Sequence, residues 1–173
     1  MTALPATTIA ALTTRYAQRG IVTWIGLRPE RLARVEAVRA ADVTVTGLQG
    51  DHRAAPGKRA VTLIQAEHLP VIAALCGAVS VDPASLRRNI VISGINLLGL
   101  RSAAFRIGTV RLRGTGLCAP CSRIETALGH GGYAATRGHG GITAEVLAGG
   151  QIAIGDPVEP TGDRPDPIAS QRR

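Results

Sequence analysis

Twenty-one glycines and ten prolines are distributed along the whole of this 173-residue chain. Both residues are costly in a helix interior, so a fully helical bundle is disfavoured and a loop-rich β or α+β domain is expected. The length suits one domain with a proper core. Disorder throughout is excluded, since 45% of residues are apolar and only 18% charged. The longest nearly apolar run, residues 71–81, is too short to cross a bilayer. The first twenty residues have neither a basic leading segment nor a continuous apolar stretch, so the expected location is the cytoplasm, without membrane contact.

The formal net charge of +8 comes from 19 arginines and a single lysine, Lys58. They are spread along the sequence, which reads as solvated basicity more than as a binding footprint. Four aromatics (Tyr16, Trp24, Phe105 and Tyr133) are too few for base-stacking platforms. A basic nucleic-acid-binding module is the competing reading from a different class, with affinity that falls steeply with salt as its signature.

Ile9, Leu12 and Tyr16 share a helical face and Gly20 follows as a stop, predicting an N-terminal helix as an accessory over 1–20. Short β-branched runs over 21–27, 35–45 and 60–64 read as strands. Between the last two lies a polar loop, 47–59, carrying Asp51, His52 and Arg53. Residues 65–75, ended by Gly77, predict a packing helix, and Asp82-Pro83 starts a short helical turn that leads into Arg87, Arg88 and Asn89. Strands follow at 90–92, 105–107 and 109–112. Residues 143–147 and 151–154 are expected to pair as a hairpin across Gly149-Gly150, with Val158 in a last strand. The tail 161–173 is expected to be disordered. A single β-rich domain over 21–160, a closed or nearly closed barrel with a few flanking helices, is the economical architecture.

The most pointed chemical feature is Cys118-Ala119-Pro120-Cys121, after a strand and before a candidate helix at 122–128. Three cysteines cannot all pair within one chain, which suits free thiols. A Cys121 thiolate would be favoured by the helix start and by Arg123, making it a nucleophile or a soft metal ligand. A redox disulfide, a zinc site completed by His130 and His139, and two ordinary buried thiols remain open beside that reading. Arg87, Arg88 and Asn89, with Arg53 and Arg137 from other loops, could converge on a phosphate or other anion. The glycine-rich 129–141 segment matches no phosphate-binding fingerprint and reads as a mobile loop above the site. Asp51 is the acid to watch, as a turn cap or a proton donor.

Four segments in register, GLQGDHR (47–53), LRRNIVISG (86–94), FRIGTVRLRGTGLCAPC (105–121) and RGHGGITAEVLAGGQIAIGDPV (137–158), resemble the MOSC domain family, the module of molybdenum-cofactor sulfurase C-termini and of stand-alone bacterial proteins. The resemblance implies a mainly β, α+β barrel that binds a molybdopterin form of the cofactor. It implies Cys121, the second cysteine of the Cys-x-x-Cys, as molybdenum ligand, and Arg87 and Asn89 as contacts to the pterin or its phosphate. Arg53, Arg123 and Arg137 would be further anion contacts and Asp51 a proton donor. Arg88 stands where a branch of the family often has proline. The implied activity is reduction of N-hydroxylated compounds of the hydroxylamino-purine type, with electrons from a separate reductase, since no flavin, iron–sulfur or nicotinamide motif is present. The implied alternative is a sulfur carrier that passes a cysteine persulfide or cofactor-bound sulfur to an acceptor protein. Pyridoxal phosphate is not expected, because Lys58 is the only lysine.

Overall fold

A computed structural model describes residues 8–162. Its strands are β1 (Gly20–Leu27), β2 (Glu36–Val38), β3 (Ala40–Thr44), β4 (Gly47–Leu48), β5 (Val61–Gln65), β6 (Ile90–Ser93), β7 (Ala104–Ile107), β8 (Val110–Leu117), β9 (Ile142–Ala148), β10 (Gly150–Ala153) and β11 (Pro157–Pro160). Seven of them close into a barrel in the order β1-β6-β5-β9-β8-β7-β11, and β11 returns to pair with β1 through Gly20↔Val158 and Ile21↔Pro157. β2 extends the sheet beside β1, while β10, β3 and β4 form a small separate sheet. Every barrel pairing is antiparallel except β5–β6. That parallel pair requires a long crossover, supplied by α2 (His68–Cys76) and a 3-10 turn (Pro83–Leu86).

The two-residue side-chain period of a strand explains the two cores. Ile90 and Ile92 of β6 point into the barrel with Leu63, Phe105, Ile107 and Leu112. Val91 points the other way and packs with Ile64, Ile72, Leu86 and Ile124 beneath α2 and α4 (Ser122–Leu128). Burial on both faces fits the apolar runs of this parallel pair.

Several elements differ from the sequence expectation. The N-terminal helix, α1, covers only Ile9–Leu12, and Gly20 opens β1 where it was expected to stop a helix. Two β-branched threonines follow, and the Thr14 hydroxyl donates to the Ala11 carbonyl at 2.8 Å, a local bond that competes with helix continuation. The expected 143–154 hairpin does not form. β9 lies between β5 and β8, and β10 leaves the barrel to pair with β3. At Gly149 a Cβ would stand 2.4 Å from the Val43 carbonyl oxygen, so the glycine pair permits a close crossing over β3 in place of a tight turn. A short helix α3 (Leu97–Leu100), capped by Asn96, follows β6, and α5 (Gly132–Thr136) interrupts the segment expected as a loop. The tail expected to be disordered lies outside the described residues from 163 onward, as does the start of the N-terminal extension.

Candidate functional site

The carboxyl end of β1, the start of β6 and the carboxyl end of β8 deliver their flanking residues to one cleft of about 320 Å3. Arg28 follows β1, Arg87 and Arg88 precede β6, Arg53 and Arg59 come from the 49–60 loop, and Arg123 stands on α4. Six guanidiniums therefore line the cleft, together with Cys118 and Cys121.

Behind this wall sits a buried polar network. Arg28 grips Asp51 with two parallel bonds, Nε to Oδ2 at 2.8 Å and Nη2 to Oδ1 at 3.0 Å. This fork geometry is the strongest arrangement of an arginine with a carboxylate. Asn89, 1% exposed, donates from Nδ2 to Asp51 Oδ2 at 2.9 Å. Its Oδ1 accepts from the Thr62 amide and hydroxyl at 3.1 and 2.9 Å. Burial alone would raise the Asp51 pKa. The Arg28 side-chain bonds, the Arg53 amide and the Arg28 charge outweigh it and hold the carboxyl below its ordinary value. Asp51 is thus ionised near neutral pH and has no proton to donate there. His52 lines the cleft beside it, with Nδ1 3.5 Å from Asp51 Oδ1.

Arg87 is the one non-glycine residue with positive φ among those described, at 56°. It caps the 3-10 turn in the left-handed region, a conformation that side chains other than those of Asn and Asp rarely adopt. The turn throws its guanidinium into the cleft, where Nη1 donates to the Ala33 carbonyl at 2.9 Å and Nη2 is buried without a protein partner. Such an orphaned donor is a site where a ligand acceptor fits. Arg88, 6% exposed, is consumed by backbone carbonyls: Gly140 at 2.8 Å, Leu86 at 3.0 Å and Cys118 at 3.3 Å. Burial lowers the pKa of both arginines. Gly141 completes the brace, its carbonyl accepting from the Cys118 amide at 2.8 Å. Its φ of 85°, and a would-be Cβ 1.9 Å from the Leu63 carbonyl oxygen, require glycine there.

Of the residues singled out in the sequence, Cys121, Arg53, Arg87 and Arg123 line the cleft, with the Cys121 residue exposed. Asp51 and Asn89 stand behind it as bracing. Arg137 lines an adjoining cavity of about 360 Å3 that shares Cys118 and Ala119 with the cleft. The sequence reading missed Arg28 and Arg59. All three cysteines are free thiols. No group of three or more His, Cys, Asp or Glu able to hold a metal gathers among the described residues. The zinc reading loses its ligands, since His139 packs edge-on against His68 with ring centroids 5.1 Å apart and His130 points to solvent.

The fold and site define a closed β-barrel protein with a strongly cationic, thiol-bearing cleft. A family model for the MOSC domain matches residues 34–159, and the chain belongs to that family. Among solved structures, the YuaD protein from Bacillus subtilis is similar at 18% identity and a TM-score of 0.74, covering 82% of this chain and 95% of its own. YiiM from Escherichia coli is similar at 20% identity and a TM-score of 0.66, covering 86% of this chain and 72% of its own. YiiM from Geobacillus stearothermophilus gives 16% identity, a TM-score of 0.66, and 82% and 75% coverage. At these identities the likeness is one of fold. No curated protein sequence matches the chain. Among the described residues no helix is long and apolar enough to cross a membrane.

Proposed function

We propose that the cleft holds a molybdopterin cofactor with the Cys121 thiolate as a molybdenum ligand, and that the protein reduces N-hydroxylated compounds with electrons from a separate reductase. The observation that carries this reading is the meeting, in one cleft, of six guanidiniums and an exposed soft thiol. The residues present fit the group. The carboxylate that contacts the arginine wall, Asp51, is taken by Arg28, so a bound anion would balance charge that the protein leaves open. The orphaned Nη2 of Arg87 suits a phosphate oxygen, and a thiolate suits a soft metal. When bound, molybdenum supplies two-electron oxygen-atom chemistry toward an N–OH group.

The chain's own residues then have distinct tasks. Arg87, Arg53 and Arg123 bind the anionic end. Asp51 and Asn89 hold the cleft wall, orienting Arg28 and fixing the backbone at Thr62. Arg88 fixes the Cys118 carbonyl and so the start of the Cys118–Cys121 segment that presents the thiol.

The test is molybdenum content by elemental mass spectrometry, on wild type and Cys121→Ala purified in parallel from a host that makes the cofactor. Near-stoichiometric metal in the wild type, lost in the variant, is expected. Metal absent from both, in folded protein, refutes the ligand assignment. The exposed, unpaired state of Cys121 also favours a second reading, sulfur carriage as a persulfide. That reading expects a reductant-labile mass gain of one sulfur on Cys121.

A further inference from the structure

The second cavity differs in chemistry from the arginine-lined cleft that shares its Cys118–Ala119 wall. It carries large apolar groups and one charge. Leu117 at the end of β8 is 52% exposed and Tyr133 on α5 is 42% exposed, an unusual pair to leave facing solvent across a cavity. Pro120 adds a rigid apolar surface, and Arg137 supplies a guanidinium that makes no hydrogen bond or ion pair with another described residue. The walls are held in place. Glu125 accepts the Gly131 and Tyr133 amides at 2.8 and 2.7 Å, fixing the start of α5, and the Arg88–Gly140 and Cys118–Gly141 bonds fix the floor. A preformed cavity of about 360 Å3 with apolar walls and a single placed charge is the usual form of a small-molecule site.

We propose that this cavity binds a small aromatic carboxylate, with its ring against Tyr133, Leu117 and Pro120 and its carboxylate on the Arg137 guanidinium, and that such an anion, when its ring also carries an N-hydroxylamino group, is the substrate delivered to the neighbouring cleft. An aromatic ring gains contact area and ring–ring attraction at Tyr133. A guanidinium fork matches a carboxylate bidentately. A bare phosphate is better served by Arg53, Arg87 and Arg123 next door. The substrate role rests on the cofactor reading above, whereas the binding does not.

The test is a nuclear magnetic resonance titration of the full, isotope-labelled chain with benzoate, its neutral isostere benzamide, and inorganic phosphate, with molybdenum content measured on the same preparations. Saturable shifts at the Tyr133, Gly138 and Gly140 amides are expected for benzoate, with benzamide at least about tenfold weaker. Arg137→Gln, an exposed position that should fold normally, is expected to weaken benzoate about tenfold or more and to keep its metal. Tyr133→Ala should weaken benzoate and benzamide alike. The proposal is overturned by equal affinity for benzamide, by no saturable response at these amides, or by benzoate shifts confined to Arg53, Arg87 and Arg123. Loss of molybdenum in Arg137→Gln also overturns it, by making Arg137 a cofactor contact. A wild type that binds benzoate here but never holds molybdenum refutes the substrate role together with the cofactor reading, and leaves the anion site standing.

Discussion

The carboxylate of Asp51 receives the Arg28 amide, Nε and Nη2, the Asn89 side-chain amide and the Arg53 backbone amide, all within 3.2 Å. Removing either member of a buried ion pair leaves the other charge unpaired, so Arg28→Ala should lower stability by about 3–5 kcal/mol, measured by urea denaturation at neutral pH. Asp51→Asn should fall by a similar amount, since the buried Arg28 guanidinium then lacks its counter-charge. The pH dependence has a definite sign. The folded pKa of Asp51 lies below the unfolded value, so its contribution is full above about pH 4 and fades as pH falls through the folded pKa. The stability gap between wild type and Asp51→Asn should therefore narrow on acidification. A gap constant from neutral pH into that acid range would show that Asp51 is not a linked group.

Glu125 of α4 acts on its neighbour α5 by accepting both the Gly131 and Tyr133 amides, bonds that hold its pKa below the ordinary glutamate value. Glu125→Ala should leave global stability nearly unchanged while these two amides exchange hydrogen about tenfold faster, a selective effect on the α5 entry. Unchanged exchange at both would mean that packing alone positions α5. The strands of the barrel were readable because β-branched runs between glycines carry local information, and α4 was bounded correctly by its own residues. Partnership was less readable. Nothing within 143–154 tells that β10 pairs with β3 from a hundred residues earlier. The site followed the same division. Arg53, Arg87, Arg123 and Cys121 stand in recognisable segments, while Arg28 is one of four arginines over 28–39 with nothing local to single it out, and its meaning depends on Asp51, twenty-three positions away. The bracing role of Asn89 was hidden for the same reason, since its partners come from β1, β5 and the Asp51 loop.

Closure of the barrel depends on a short last strand. Val158 is fully buried and pairs with Gly20 on one side and Ile107 on the other. Val158→Ala should cost about 1.5–3 kcal/mol through lost burial and the cavity left behind. Val158→Asp would place an unpaired charge in the core and should prevent folding, read by circular dichroism and size-exclusion chromatography. A soluble Val158→Asp protein with wild-type melting would show that the barrel tolerates an open seam. The seam has a mechanical consequence as well. β1 and β11 are antiparallel, with Gly20, the first residue of β1, beside Val158, the second residue of β11, so tension that draws the start of β1 away from the carboxyl end of β11 loads their hydrogen bonds one after another, as a zipper, and not all together in shear. With two residue pairs in register, the seam is the shortest pairing of the barrel and is expected to open first under such a load. Arg28 lies just past the far end of the eight-residue β1, roughly 26 Å along the strand, so the cationic cleft would keep its shape while the seam yields.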